Sequence, residues 1–412
     1  MGTLRRDETR SSARASVPSP PSRTALRVII VNKFAHLTGG ADQHCLGLAA
    51  ALRQRGHDVV FLSTRDERNL EHEGRFVECS VTHSSRDQVG VQAQAEVFAK
   101  AMWHRQAASA TQRLIDDFKP DVVHAHKLYP QLSVAPVVVA ARAGIPVVQT
   151  LHDFEMVSAS AIDARGGVWD GDETRLRFKL LNAATRPVRR RVHVPRVKAF
   201  VAVSRFVARV HAAHGIEASV FPNFVHARES SAADVPGFEE RSGIVFLGRL
   251  RPEKGVLDVL GMAKRLPDVA VTVVGSGDLE PMLRGEAERL PNLKLAGFVP
   301  DPDVRDTLRR ARVVVIPSRC QDAGPLVPLE AMAHATPVVA YSMGGLGEYV
   351  ADSGGGRVVP VDVEALATTS FEVHEDRRTW ERLSVAGFEA VTQRHSPEVY
   401  AERLEDLYSG LQ

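Results

Sequence analysis

The chain has 412 residues, 44% of them hydrophobic and 25% charged, with a formal net charge of +2. That profile describes an ordinary globular protein of two or three domains, and no apolar run approaches the ~20 residues of a membrane-crossing helix. Three widely spaced cysteines, Cys45, Cys79 and Cys320, form neither a metal-binding cluster nor a disulfide framework and suit a reducing cytosol.

The near-neutral total hides two unlike halves. Residues 1–225 carry 31 Lys/Arg against 21 Asp/Glu, a balance of +10, and residues 226–412 carry 21 against 29, a balance of −8. The opening 1–25 is polar and rich in Ser, Pro and Arg, and is expected to be a disordered tail. Its arginine pair has no apolar core behind it, against a secretion signal, and Arg6 stands where a myristoylation motif needs Ser or Thr.

A first domain over 26–225 opens with LRVIIV (Leu26–Val31), a β-branched run that reads as a buried parallel strand. A loop with Gly39–Gly40 follows, then a helix with Leu46, Ala49, Ala50 and Leu52 on its apolar stripe and Gly56 as a stop, then the strand DVVFLS. The pattern recurs as DVVHAH, a helix and IPVVQTLHD, and again as KAFVAVS, a helix and SVFPN. The basic run Arg186–Lys198 suits nucleic acid, anionic lipid, an acidic substrate or plain solvent.

Between Asn223 and Gly243 the chain turns polar and irregular, as a linker does. Alternation resumes in a second domain over 226–395, with GIVFLGR, VAVTVV, LKLAGFV, RVVVIPS and TPVVAYS as its strands. Residues 396–412 read as a capped amphipathic helix expected to return to the first domain. The fold class is α/β: two Rossmann-like parallel-sheet domains facing a cleft.

Chemistry gathers in the second domain. Arg249 and Lys254 follow its first strand, with Gly248 for a tight turn and Lys254 opening the next helix; two cations at a helix N-terminus suit a diphosphate. Gly275 and Gly277 repeat the strand–glycine–helix device, and Gly297, Phe298 and Val299 border the same sheet edge. Asp322 and Glu330 straddle a helix start at the carboxyl edge of the sheet, where open α/β folds bind ligands. Carboxylates there can accept from neutral polyols: Glu330 from adjacent ribose hydroxyls, Asp322 from sugar hydroxyls further out.

GRLRPEKG followed by DAGPLVPLEAMAHATPVVAYSMGGLGEYV resembles the retaining glycosyltransferases of family 4, glycosyltransferase group 1. That family has two Rossmann-like domains, a G-R-L-x-x-x-K-G stretch, an E-x7-E motif and a Gly-Gly-x-x-E segment. The likeness runs from Leu26 onward and includes GGADQHCLGLAAALRQRGHDVVFLS and TLHDF in the first domain. It implies a catalytic set of His152, Arg249, Lys254 and Asp322, with His152 facing the transferred sugar and its phosphates. It implies that the Gly39–Gly40 loop closes over the donor and borders the acceptor, and that Gly248, Gly275, Phe298, Val299, Gly324, Pro325, Leu326, Val327 and Glu330 complete the donor surface. Three positions depart from the pattern: Asp322 replaces the usual Glu, Ala335 stands where Gly is common, and FPNFV replaces P-N-G-V.

The implied reaction moves a sugar from a nucleoside-diphosphate sugar, in its UDP or GDP form, to a hydroxyl acceptor with retention. No cofactor or metal is implied, since the cations take the metal's role. The strings Asp170–Asp172 and Asp301–Asp303 are expected in polar loops away from the motifs, and His124 and His126, on one side of a strand end, show no third metal ligand. Weak contact with an anionic membrane surface, at the cytoplasmic face, suits the basic half; nucleic acid is not an expected partner. Rival readings are a nucleotide-sugar 2-epimerase, also built on twin Rossmann-like domains, and a non-catalytic basic module binding nucleic acid or membrane.

Overall fold

The computed structural model describes residues 24–70, 74–78, 99–157, 162–163, 185–227 and 235–411. Residues 1–23 of the tail expected over 1–25, and the string Asp170–Asp172, lie outside them.

In the first domain the strands are β1 (Arg27–Val31), β2 (Asp58–Thr64), β3 (Gly74–Val77), β4 (Val122–Ala125), β5 (Val147–Leu151), the two-residue β6 (Ile162–Asp163), β7 (Ala199–Ala202) and β8 (Ser219–Val220). All but β6 form a parallel sheet in the order β3-β2-β1-β4-β5-β7-β8. Helices α1 (Gly40–Gln54), α2 (Arg105–Phe118), α3 (Ala135–Arg142) and α4 (Arg205–Ala212) cover it. Alternate residues of β1 face opposite layers, as the two-residue pleat requires. Ile29 and Val31 pack with Leu114 and Ile115 of α2 and Val137 and Val138 of α3. Val28 and Ile30 pack with Leu48 and Leu52 of α1.

A second parallel sheet has the order β11-β10-β9-β12-β14-β15. Its strands are β9 (Ile244–Leu247), β10 (Val271–Val274), β11 (Leu293–Gly297), β12 (Val313–Ile316), β14 (Val338–Tyr341) and β15 (Gly356–Val359), with the short β13 (Cys320–Gln321) apart from it. Its helices are α5 (Val256–Arg265), α6 (Glu280–Ala287), α7 (Asp301–Arg310), α8 (Val327–Ala333), α9 (Gly344–Ser353), α10 (Val363–Glu375) and α11 (Arg377–Arg394). Every residue of β12 is buried, which is why a strand covered on both faces reads as unbroken Val and Ile. In both sheets the strand order reverses beside the first strand, so loops at the carboxyl ends diverge there and leave a crevice.

The last helix, α12 (Pro397–Ser409), lies on the first domain. Tyr400, Ala401, Leu404 and Tyr408 join the β1–α1 core, each larger side chain contributing ~1.5–3 kcal/mol by burial. Its buried Glu405 accepts from Arg55 and from His57, at 2.8 Å and 2.9 Å.

The domains are tied on one side. Residues of β6 and β13 pair antiparallel, Cys320 opposite Asp163 and Gln321 opposite Ile162. Asn223 Nδ2 donates to the Gly324 carbonyl at 2.7 Å, and the Ser204 hydroxyl donates to that of Ala323. Among the described residues no helix is long and apolar enough to cross a membrane.

Four expectations need correction. On α1 the buried stripe is His44, Cys45, Leu48, Ala49, Ala51 and Leu52, while Ala50 is exposed and Leu46 half-buried; Asp42 and His44 belong to the inward face and shift it. Asp301–Asp303 is no loop but the first turn of α7, entered from Pro300. Lys254 does not open a helix: Pro252–Lys254 form a single tight turn, and α5 begins after Gly255. Within the basic run Arg189 is buried, donating to the Glu155 carbonyl and lying over Tyr129, so the exposed charges are Arg186, Arg190, Arg191 and Lys198.

Candidate active site

The β9–α5 turn forms one wall of the cleft. Gly248 and exposed Arg249 follow β9, and buried Leu250 turns the chain inward. Gly275 (φ +136) lies so close that a Cβ would meet the Gly248 carbonyl oxygen at 1.9 Å. Its neighbour Gly277 meets Leu250 in the same way, at 2.6 Å from the carbonyl oxygen. These glycines therefore fix the height of the Arg249 turn by backbone packing.

Lys254 donates to Asp322 Oδ1 at 2.6 Å, with both side chains mostly buried. Burial works against the ammonium charge, but Asp322 outweighs it and holds the lysine above its ordinary range. Oδ2 of Asp322 is buried with no hydrogen-bond partner among the described residues. The start of α9 grips this loop from beneath. Gly345 N donates to the Asp322 carbonyl at 2.7 Å. Gly344 (φ +54) and Gly345 approach so closely that a Cβ on either would lie 2.5 Å or 2.1 Å from a loop carbonyl oxygen. Glu348, which ends the Gly-Gly-x-x-E segment, accepts from Phe206 N at 3.1 Å and Arg209 at 2.9 Å in the first domain. It tethers the domains.

Glu330 sits on α8 and accepts from Gln43 Nε2 of α1 at 3.0 Å, across the cleft. Beside them a Cβ on Gly40 would stand 3.4 Å from the Leu326 side chain, so the Gly39–Gly40 turn abuts the α8 entry. Gly324 is held through its carbonyl by Asn223, while Pro325 and Val327 are half-buried. Phe298 projects with 78% of its surface exposed, and Val299 packs on the second domain's core. The structure thus joins Lys254 to Asp322 and Glu330 to the α1 entry. Ala335 holds a φ of +52, a left-handed conformation easier for the glycine common at its place.

The opposite wall ends β4 and β5. His152, just past β5, bonds through Nε2 to His126 Nδ1 at 2.9 Å. Lys127 and Asp153 form an ion pair at 2.5 Å; burial opposes the carboxylate, yet the lysine holds it at about 2. His124 is committed elsewhere, bonded to the Tyr408 hydroxyl and to Thr150 Oγ1 at 2.8 Å. The third histidine beside His126 and His152 is His44 of α1. Sequence reading missed it because it lies 82 residues from His126, inside a stretch read for apolar periodicity.

Two parallel-sheet domains with their carboxyl-edge loops turned on one cleft share the two-domain architecture of solved glycosyltransferases. Sucrose-phosphate synthase from Thermosynechococcus elongatus superposes with a TM-score of 0.70 at 17% identity, covering 94% of this chain and 99% of that one. Anabaena HepE in complex with UDP does so with 0.66 at 18%, covering 93% and 100%. Two family models divide the sequence: Glycosyltransferase Family 4 over residues 38–229 and Glycosyl transferases group 1 over residues 228–389. The chain belongs to the group 1 glycosyltransferases. Among curated relatives, the phosphatidyl-myo-inositol mannosyltransferase of Mycobacterium tuberculosis is 29% identical over 391 residues, 90% of this chain and 93% of its own. The glycogen synthase of that organism is 27% identical over 394 residues, 90% and 91% of the two chains.

Proposed function

We propose that the enzyme transfers a sugar from a nucleoside-diphosphate sugar, in its uridine or guanosine form, to a hydroxyl acceptor, with retention and without a metal ion. The observation that carries this reading is the cation pair at the β9–α5 turn: exposed Arg249, and Lys254 fixed by Asp322. Negative charge grows on the diphosphate as the glycosidic bond stretches, and preorganised cations favour that state over the ground state.

Asp322 has two tasks in this reading. Its Oδ1 orients Lys254, and the unpartnered Oδ2 accepts from a hydroxyl of the transferred sugar. Glu330 exchanges its bond with Gln43 for the ribose hydroxyls of the donor. His152 borders the reacting carbon, and the Gly39–Gly40 turn covers the donor and borders the acceptor. The acceptor oxygen attacks the face the diphosphate leaves, its proton passing to the departing phosphate oxygen. The paired carboxylates of a retaining glycosidase have no part here. Names of similar proteins lend support: one acts on phosphatidyl-myo-inositol, and HepE is found with UDP and glucose. Weak contact with an anionic membrane through Arg186, Arg190, Arg191 and Lys198 belongs to the same reading.

Incubation with UDP- and GDP-sugars without acceptor tests it. Slow release of nucleoside diphosphate is expected from at least one donor. Absence of release and of binding for all of them, with salt-sensitive binding to nucleic acid instead, would overturn the reading.

A further inference from the structure

We propose that His44, His126 and His152 form a binding site for a borderline divalent transition metal of the zinc type, at the floor of the cleft and open at a fourth position. One ligating nitrogen of each ring lies within 4.8 Å of those of the other two. They come from three elements that converge at the carboxyl edge of the first sheet: α1, the end of β4 and the end of β5.

The donor set suits a metal in three respects. First, both ring nitrogens of His44 are buried without a hydrogen-bond partner among the described residues, although the residue is only 1% exposed. A buried polar atom left unpaired is costly, and a lone pair aimed at a metal removes that cost. Second, imidazole is the commonest protein ligand for this class of metal, and three such rings from separate elements meet here. Third, aromatic rings wall the site. His44 is walled by the rings of Phe224 at 4.7 Å and Tyr400 at 4.8 Å, and Phe224 is the residue that departs from the family's P-N-G-V pattern.

Geometry requires a modest adjustment. Metal–nitrogen bonds of ~2.0–2.1 Å in tetrahedral array put ligand atoms about 3.3 Å apart. The His126–His152 pair, at 2.9 Å, must open slightly. His44, packed against the rings of Phe224 and Tyr400, can turn inward by a small side-chain rotation. Three imidazoles with an open position favour zinc, copper, nickel or cobalt over magnesium or manganese. Occupancy of His152 would also block transfer, so such metals should inhibit; that consequence alone rests on the role given to His152 above.

The test uses the full chain and the metals alone. Cobalt titration should give the strong visible absorption of a tetrahedral site, and calorimetry should show one tight zinc site and none for magnesium. His126→Ala and His152→Ala should each weaken zinc by more than ~100-fold, since even a partner outside the coordination shell is worth 10–100-fold. The half-buried His152 makes its variant the safer one for folding. His214→Ala, at an exposed position, should change nothing and controls for surface binding among the sixteen histidines. Equal zinc affinity in wild type, His126→Ala and His152→Ala would overturn the site, whatever the transfer assay shows. Zinc bound at the site with transfer undiminished would leave the site standing and remove His152 from the reaction.

Discussion

Asp322→Ala separates the two ends of the donor. In the free enzyme Asp322 Oδ1 meets Lys254 Nζ at 2.6 Å, with side-chain exposures of 15% and 21%. A charge-assisted bond in that setting is worth ~1.5–3 kcal/mol, so the variant should be less stable by an amount of that order. Nucleoside diphosphate should bind it nearly as well as wild type, within ~0.6 kcal/mol or about threefold, because Lys254 is relieved of its counter-charge rather than removed. The intact donor also loses the hydroxyl contact of Oδ2, so its affinity and turnover should fall by ~10–150-fold. Glu330→Ala removes ribose contacts and should weaken intact donor and free diphosphate alike by that factor. Asp322→Glu restores the family's longer side chain and should shift donor preference by re-aiming at the sugar. Calorimetry with diphosphate and with intact donor reads all three variants. Equal loss of diphosphate affinity in Asp322→Ala and Glu330→Ala would refute the division of labour.

Arg249→Ala and Lys254→Ala should each lower transfer by ~10²–10³-fold in steady-state assays, the usual loss for one charge-stabilising group; near wild-type rates in both would remove the phosphate assignment. Chelation should leave turnover unchanged, whereas loss restored by magnesium or manganese would mean a different catalytic class. At low salt the protein should sediment with anionic vesicles more than with neutral ones, and equal sedimentation would end the membrane reading. Glu405→Gln should cost roughly 3 kcal/mol at pH 7 in denaturant unfolding, because a buried pair loses one partner. Burial alone would raise Glu405, but Arg55 and His57 outweigh it and lower it from 4.5 to about 2. Its contribution is therefore complete above pH ~5 and lost as pH falls toward 2, so the gap between wild type and variant should narrow over that range; a gap independent of pH would contradict the assignment.

The fold was legible wherever strands are buried on both faces. Val313–Ile316 and Val338–Tyr341 read as apolar runs because nothing polar survives there. The strands Gly74–Val77 and Gly356–Val359 escaped because they lie at sheet edges and are short and partly exposed. Two-residue strands such as Ile162–Asp163 carry no periodicity at all, so the link between domains was invisible. The second-domain motifs were readable because their glycines answer to close backbone contact at Gly275, Gly344 and Gly345. Two facts about the site were not readable. Lys254 and Asp322, 68 residues apart, bond to each other, and Glu348 serves the domain interface.

The central claim is that the cleft binds a nucleoside diphosphate through Arg249 and Lys254, and thermal unfolding with uridine, guanosine and adenosine diphosphates and their sugars tests it most directly. A ligand at 100 times its dissociation constant stabilises by ~2.7 kcal/mol. A clear rise in melting temperature is expected with the uridine or the guanosine series, and its loss in Arg249→Ala and Lys254→Ala. No shift with any of these nucleotides, or a shift that both variants retain in full, would contradict the account.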